Sequence, residues 1–185
     1  MTTQNNPIYC SFLQKWENLL NMPCNLKTTS MITIQNIKDF KIKEFNFKVI
    51  HGILSCECNL KIWKLQDYDV CIECGNQHTI LHLLYECPTA RSLWELVEQC
   101  FNFSISSDTI IVGDINETYL NFIISLMCYL LYKYWLVKKN EIITISLKYF
   151  ITKELHFRRN IYGMLNWSKI RESIDKMEHH IMIHM

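Results

Sequence analysis

Glycine and proline are scarce in this chain, which has four and three of them among 185 residues. Sandwiches and barrels of β-strands place these residues in their many tight turns, so the scarcity argues against such folds. Leu, Ile, Lys, Glu and Asn, which a helical protein can accommodate, are frequent instead. The composition therefore predicts a mostly α fold.

An excess of charge of one sign is also lacking. The formal net charge is +1, whereas a dedicated nucleic-acid-binding protein is usually strongly basic. Any contact with nucleic acid is therefore expected from local groups of cations. Hydrophobic residues make up 49% of the chain and charged residues 20%, which is ordinary globular composition, so the chain is expected to fold.

The N-terminus lacks the pattern of a secretory signal, because MTTQNNPIYC has no basic start followed by an apolar stretch. Nine cysteines are present, an odd number that would leave one unpaired in any scheme of disulfides. Disulfides persist mainly in oxidising compartments. We therefore expect reduced thiols and a nuclear or cytoplasmic location.

Four ligand-type residues are spaced as Cys71-x2-Cys74-x7-His82-x4-Cys87. Three thiolates and one imidazole form the ligand set of a closed tetrahedral zinc site. Gly75 follows the first pair and can adopt the positive φ that reverses the chain. Because the protein supplies all four ligands, no position remains for a catalytic water, and the spacing predicts one structural Zn²⁺ in a small knuckle.

Other ligand sets are open in the same region. His78 competes with His82, although His82 leaves a better-proportioned loop and an x4 return to Cys87. Cys56 and Cys58 could join Cys71 and Cys74 in a four-cysteine site, which would leave His82 and Cys87 without a role. The alternative without metal is a set of ordinary buried cysteines and a buried histidine. Small buried hydrophobes are the expectation for the other cysteines, Cys10, Cys24, Cys100 and Cys128.

Apolar residues recur at spacings of three and four along most of the chain, which predicts several helices. The predicted helices begin near Pro7, run from about residue 35 into the fifties, cover 79–85, begin again at Pro88, cover 119–137, and fill 144–178 with an interruption near Gly163. Residues 104–116 are predicted to form a connection. An ordered structure is not expected for His179, His180 and His184, which lie close to the terminus.

The segments EFNFKVIHGIL and CNLKIWKLQDYDVCIECGNQHTILHLLYECPTARSLWELV carry a resemblance. They resemble the zinc-binding region near the C-terminus of the polyproteins of LINE-type, non-LTR retrotransposons. The motifs that carry the resemblance are aromatic-Lys-x-x-His-x-Ile-Leu from Phe47 to Leu54, followed by Cys-x-x-Cys-Gly and His-Leu-Leu-x-x-Cys-Pro. The later segment IIVGDINETYLNFIISLMCYLLYKYW is similar too, so the resemblance covers residues from about 36 to 160.

The chain is therefore expected to contain an N-terminal helix and loop at 1–35, a reverse-transcriptase-type zinc-binding region at 36–103 with the knuckle at 71–87, and a C-terminal helical tail at 104–185. The first of these lies outside the resemblance. The resemblance also implies an element that helps the parent protein hold template RNA or target DNA. The parent polymerase needs a pair of adjacent aspartates to hold catalytic metal ions, and this sequence has none. Asp67 and Asp69 are expected in a turn. We therefore predict a non-catalytic C-terminal fragment with no small-molecule substrate.

Cations interleaved with aromatic residues are the candidates for contact with RNA or DNA. They are Lys41, Lys43 and Lys48 in the second helix, and Lys138, Lys139, Arg158 and Arg159 in the tail. Phosphate contacts would make the affinity depend on salt, and exposed aromatics could stack on unpaired bases. The alternatives are a solvated helix face and a zinc-stapled helical module that binds protein only.

Residues 119–137 form the most apolar segment. Nineteen helical residues reach across a bilayer core of about 30 Å, and two lysines follow them. Asn121, Ser125 and Lys133 weaken this interpretation. We expect a helix buried within the domain, and membrane attachment is the lesser alternative.

Overall fold

Helices form nearly all the regular structure in the part of the chain that the computed structural model describes, which is Trp16, Asn18 and residues 39–113, 118–140, 145–164 and 168–184. They are α1 (Phe40–Ile50), α2 (Glu57–Ile62), a π-helical turn (His82–Glu86), α3 (Pro88–Phe101), α4 (Ser107–Val112), α5 (Thr118–Asn140), α6 (Leu147–Met164) and α7 (Ser168–His184). One isolated antiparallel bridge joins Val70 to Gln77. The prediction of a mostly α fold is confirmed. The predicted helix near Pro7, apart from Trp16 and Asn18, lies outside the described residues, as do Cys10 and Cys24.

The long apolar helix α5 lies at the centre of the fold. It packs against α1, α4, α6, α7 and the π-helical turn, and Ile123, Leu126, Met127 and Leu130 have no exposed surface. A helix that is apolar on all sides is expected to be enclosed by others or by lipid. It is long and apolar enough to cross a membrane, but 72% of its most apolar window is buried inside the protein. This burial favours the core-helix interpretation.

Helix α1 is held to this core by polar as well as apolar contacts. Its first turn is capped by Asp39, whose carboxylate accepts hydrogen bonds from the N–H groups of Lys41 at 3.0 Å and Ile42 at 3.3 Å. Asn46 donates to the Ser125 hydroxyl of α5 at 2.8 Å. At its other end the carbonyl of Ile50 accepts from the buried indole N–H of Trp16 at 3.0 Å. Trp16 therefore belongs to the core that α1 helps to form.

Helix α3 begins at Pro88, where the missing N–H costs little, as predicted. Its buried face carries Ala90, Leu93, Trp94 and Val97. The indole of Trp94 is buried and donates to the carbonyl of Leu84 at 2.7 Å. This bond and the packing around it fix the π-helical turn against α3.

Two expectations from the sequence were wrong. The predicted connection at 104–116 contains α4, which is capped by the Ser106 hydroxyl and ends at Gly113 with a φ of 83°. It is helical because Ile110 and Ile111 are buried in the core. The C-terminal tail is helical as far as His184, because Ile174, Met177 and Ile181 are buried there as well.

Candidate metal centre

The four residues of the predicted knuckle lie together. One ligand atom from each of Cys71, Cys74, His82 and Cys87 lies within 4.8 Å of the other three. The Sγ atoms of Cys71 and Cys87 are 3.8 Å apart, much farther than the ~2.05 Å of a disulfide, and the Cys74 Sγ lies 3.2 Å from the His82 Nε2. Three of these side chains are buried and Cys74 is half-buried. The cluster is therefore a set of donors that could bind a metal ion.

The first pair of ligands is positioned by a tight turn. The Gly75 N–H donates to the carbonyl of Cys71 at 2.8 Å, and the Cys71 N–H donates to the carbonyl of Asn76 at 2.7 Å. Gly75 has a φ of 74°, which glycine adopts without the clash that a Cβ causes. The bridge between Val70 and Gln77 closes the base of this turn. Both sulfurs consequently point to the same side of the loop.

The second pair is positioned by the π-helical turn. Its closing hydrogen bond runs from the Cys87 N–H to the His82 carbonyl at 2.8 Å, five residues back. In this wider turn His82 and Cys87 come together, whereas the α-helical bond pairs residues four apart. The sequence predicted a helical segment at this place but carries no signal for the π geometry.

The imidazole of His82 is oriented at both nitrogens. Its Nε2 faces the Cys74 sulfur, while its Nδ1 lies 4.0 Å from a carboxylate oxygen of Glu86. A carboxylate beside the second nitrogen favours the tautomer in which Nδ1 carries the proton and Nε2 is free to bind a metal. The ring is 4% exposed, so it is held against rotation by its packing.

Electrostatics favour a thiolate at Cys87. This residue precedes helix α3, and a hydrogen bond from Cys71, together with the N–H groups of Thr89 and Ala90, lowers the pKa of its thiol to about 7. Free N–H groups at a helix N-terminus stabilise a thiolate in this way. Donation of that same hydrogen bond to Cys87, together with burial, raises the pKa of Cys71. Without a metal, the proton of the pair thus resides on Cys71.

His78, the competing ligand, lies outside the cluster. It is fully buried, its Nδ1 accepts a hydrogen bond from the Glu57 N–H at 3.2 Å, and its ring lies 5.1 Å from that of Trp135. Burial lowers its pKa to about 4, so the ring is neutral at pH 7. His78 therefore links α2 to α5 and is not one of the four residues of the cluster. This agrees with the preference for His82 that the spacing gave.

Among the residues that the structure describes, the cysteines outside the cluster are buried or contact other groups. Burial raises the pKa of Cys56 to about 11, and burial also raises the pKa values of Cys100 and Cys128. Cys58 lies 3.8 Å from the carbonyl of Asp69. These environments favour neutral thiols. The cluster that the fold assembles contains neither Cys56 nor Cys58, which the four-cysteine alternative would require.

Four of the seven cations proposed for nucleic acid are engaged within the protein. Lys138 pairs with Glu73, inside the Cys71–Cys74 loop, and Lys139 lies 2.8 Å from Glu57. Arg158 is buried 2.8 Å from Asp39, and Arg159 lies 3.5 Å from Asp175. The sequence could not show these pairs because their members lie 16 to 119 residues apart. Both lysines tie the end of α5 to the knuckle region.

The other three cations lie on α1. Lys41 and Lys43 are exposed and have no ion pair among the residues that the structure describes, and Lys48 lies 2.7 Å from Glu44 on the same helix. Asp69, one of the two aspartates near the knuckle, lies 3.0 Å from Lys61. It therefore belongs to a local ion pair at the turn.

Replacing Gly75 by alanine tests the turn that positions the first two ligands. A Cβ at this position would meet no atom within 4 Å, so only the positive φ opposes it. We expect the free energy of unfolding of the metal-loaded protein to fall by about 1–2 kcal/mol, measured by urea denaturation. Gly75→Asn should lose less, because asparagine tolerates this region better. Equal stability of the alanine variant and the wild type would contradict the account.

Comparison with models of known protein families, with curated proteins and with solved structures gives no match for this chain.

Proposed function

We propose that this chain is a non-catalytic, zinc-stapled module related to the C-terminal region of LINE-type reverse transcriptases, and that it contacts single-stranded RNA or DNA in the nucleus or cytoplasm. The observation that carries the metal part is the closed cluster of three sulfurs and one nitrogen within 4.8 Å. The family assignment is supported by the sequence resemblance alone.

Zinc is the metal that this donor set fits best. Three thiolates and an imidazole are soft and borderline ligands of the kind that structural zinc uses. A tetrahedral zinc about 2.3 Å from each sulfur would place two sulfurs about 3.8 Å apart, and Cys71 and Cys87 show a separation of 3.8 Å. When bound, the ion would supply cross-linking of the two loops, and the protein residues would supply all four of its ligands.

The proposed nucleic-acid surface is the solvent face of α1. Phe40, Lys43, Phe47 and His51 follow one another at spacings of three and four, so they form one stripe along the helix. Phe40 is 75% exposed and Phe47 is 46% exposed. Two large apolar side chains exposed on one helix face form an apolar patch, which is more informative than a single exposed residue. Phe47 stacks on His51 with ring centroids 3.9 Å apart. Lys41 lies beside the stripe.

This combination suits an unpaired strand better than a duplex. The free ammonium groups of Lys41 and Lys43 could each contact a phosphate, and flat aromatic faces could stack on bases that a duplex keeps paired. Lys138, Lys139, Arg158 and Arg159 are already paired with acids, so they add less to such a surface. The overall charge of +1 predicts weak binding that depends strongly on this one face.

Fluorescence anisotropy with a labelled single-stranded oligonucleotide tests this surface. For Lys41→Gln combined with Lys43→Gln, we expect weaker binding and a salt dependence reduced by about 1.4 in the log–log slope, about 0.7 for each lost phosphate contact. For Phe47→Leu, we expect about a tenfold or greater loss of affinity without a change of slope, since stacking is worth about 1–3 kcal/mol per base. RNA and DNA of one sequence are compared to identify the preferred strand.

The matched controls lie on α6, which also carries an exposed lysine and an exposed aromatic four residues apart. Phe157 is 63% exposed and Lys153 is exposed as well. Lys153→Gln and Phe157→Leu should leave affinity and salt slope unchanged. If the α6 variants lose as much affinity as the α1 variants, the protein binds nucleic acid without a defined surface. If the wild type shows no salt-dependent binding, the nucleic-acid role is wrong.

A protein-binding module is the second candidate, and a separate observation favours it. Ile62, Leu65 and Ile72 are 69%, 71% and 66% exposed on α2 and the loops around the knuckle. Groups of large aliphatic side chains that are exposed to this extent indicate an interaction surface. If the wild type fails to bind any single strand, this surface becomes the better account of the module.

A further inference from the structure

A small cavity separates the metal-binding cluster from the central helix. Its volume is about 30 Å³, and its walls include Cys71, Cys87 and His78 on one side and Leu131, Tyr134 and Trp135 of α5 on the other. A water needs about 10–15 Å³ of such volume and from two to four polar partners. The cavity is therefore large enough for one water, and its polar groups decide whether it holds one.

Two of the residues that line this cavity, His78 and Trp135, each carry a buried N–H donor. His78 Nε2 and Trp135 Nε1 are inaccessible to solvent and have no hydrogen-bond partner among the described residues. Because His78 Nδ1 accepts the Glu57 N–H, the proton of the neutral ring must lie on Nε2. Each donor left unpaired would cost about 1–3 kcal/mol, and such pairs of unsatisfied groups are uncommon in folded proteins.

The lining of the cavity also includes acceptors. Cys71 and Cys87 line the same cavity, and their sulfurs would be thiolates when a metal is bound. A water has two lone pairs and two protons, so it can accept from the two N–H groups and donate to the two sulfurs at once. All the unsatisfied polar groups around the cavity would then be paired.

We propose that this cavity is a binding site for one structural water, which connects His78 and Trp135 to the metal-bound sulfurs of Cys71 and Cys87. The site adds a further connection between the knuckle region and α5, beside the ion pairs of Lys138 with Glu73 and of Lys139 with Glu57. Hydrogen bonds to the two sulfurs would also hold them in the position in which they bind the metal. The hydrogen bonds that the water accepts from the two N–H groups do not depend on the proposed nucleic-acid function. The hydrogen bonds that it donates to the sulfurs depend on the bound metal that the proposed function includes.

A crystal structure of the zinc-loaded wild type tests the site directly. We expect density for one water at about 3 Å from both His78 Nε2 and Trp135 Nε1. A cavity without density, in a map that shows other ordered waters, would overturn the proposal. So would a rotated His78 whose Nε2 bonds to a protein group.

Zinc transfer to a chelator gives an independent readout in solution. Trp135→Phe removes the N–H donor together with part of a buried ring, and we expect transfer to become at least about fivefold faster, the factor for a hydrogen bond worth about 1 kcal/mol. Trp63→Phe, at a residue that is 41% exposed, is the matched control and should transfer zinc at the wild-type rate. An unchanged rate for Trp135→Phe, with its fold intact by circular dichroism, would count against the site.

Discussion

Cys74→Ser and His82→Ala should each reduce bound zinc from one equivalent to nearly none, as elemental analysis of the purified protein would show. Both side chains contribute a ligand atom to the cluster, and a structural zinc bound by small peptides contributes about 10–16 kcal/mol of free energy. The turn at residues 70–77 has little buried apolar surface of its own, because Ile72 is 66% exposed and Val70 is 49% exposed. It therefore depends on the metal for its structure.

The loss of order should remain local. Helices α5, α6 and α7 pack against one another, so we expect most helical circular dichroism to persist while hydrogen exchange becomes fast over residues 70–77. Chelation of the wild type should give the same pattern, and added zinc should reverse it. His51→Ala and Cys58→Ser are the controls, since they remove the same residue types outside the cluster. Unchanged zinc content in the two ligand variants would falsify the metal site.

Lys139→Met should lower the free energy of unfolding by about 2–3 kcal/mol. This is less than the ~3–5 kcal/mol usually lost when one partner of a fully buried ion pair is removed, because the Lys139 side chain is 23% exposed. The Glu57 side chain is only 5% exposed, and the Lys139 ammonium lies 2.8 Å from its carboxylate. Without the lysine a buried carboxylate would lose its counter-charge. Urea denaturation of the zinc-loaded protein measures the change.

Two further variants separate this cause from loss of packing around the lysine stem. Glu57→Gln in the Lys139→Met background removes the stranded charge, so it should restore most of the lost stability. Lys138→Met removes a neighbouring lysine whose pair with Glu73 is more exposed, and it should cost at most about 1 kcal/mol. A double variant as unstable as Lys139→Met alone would show that the charge pair is not the cause.

The features that could be predicted from the sequence are those set by local spacing. The ligands of the knuckle follow from cysteine and histidine positions within seventeen residues of chain, 71–87. The start of α3 follows from Pro88, and the extent of α5 follows from an apolar run whose polar end the structure places at Asn140. In each case the residues that decide the structure are neighbours along the chain.

The features that could not be predicted depend on contacts between distant residues. Lys139 belongs to a partly buried ion pair because Glu57, 82 residues away, lies beside it in the fold. Arg158 is buried against Asp39, 119 residues away. Similarly, α4 forms because the core accepts Ile110 and Ile111, and its sequence alone is too short to favour a helix over a connection. The relation to retrotransposon proteins stays a prediction.

The indole of Trp16 sets a limit on how small this domain can be made. A polypeptide starting at residue 36, where the zinc-binding region was expected to begin, would lack a tryptophan that is 4% exposed and bonded to the end of α1. Loss of a buried aromatic ring usually lowers the free energy of unfolding by about 3–5 kcal/mol. This is a large part of the ~5–15 kcal/mol by which an ordinary domain is stable. A polypeptide that is to keep this core intact therefore has to include residue 16.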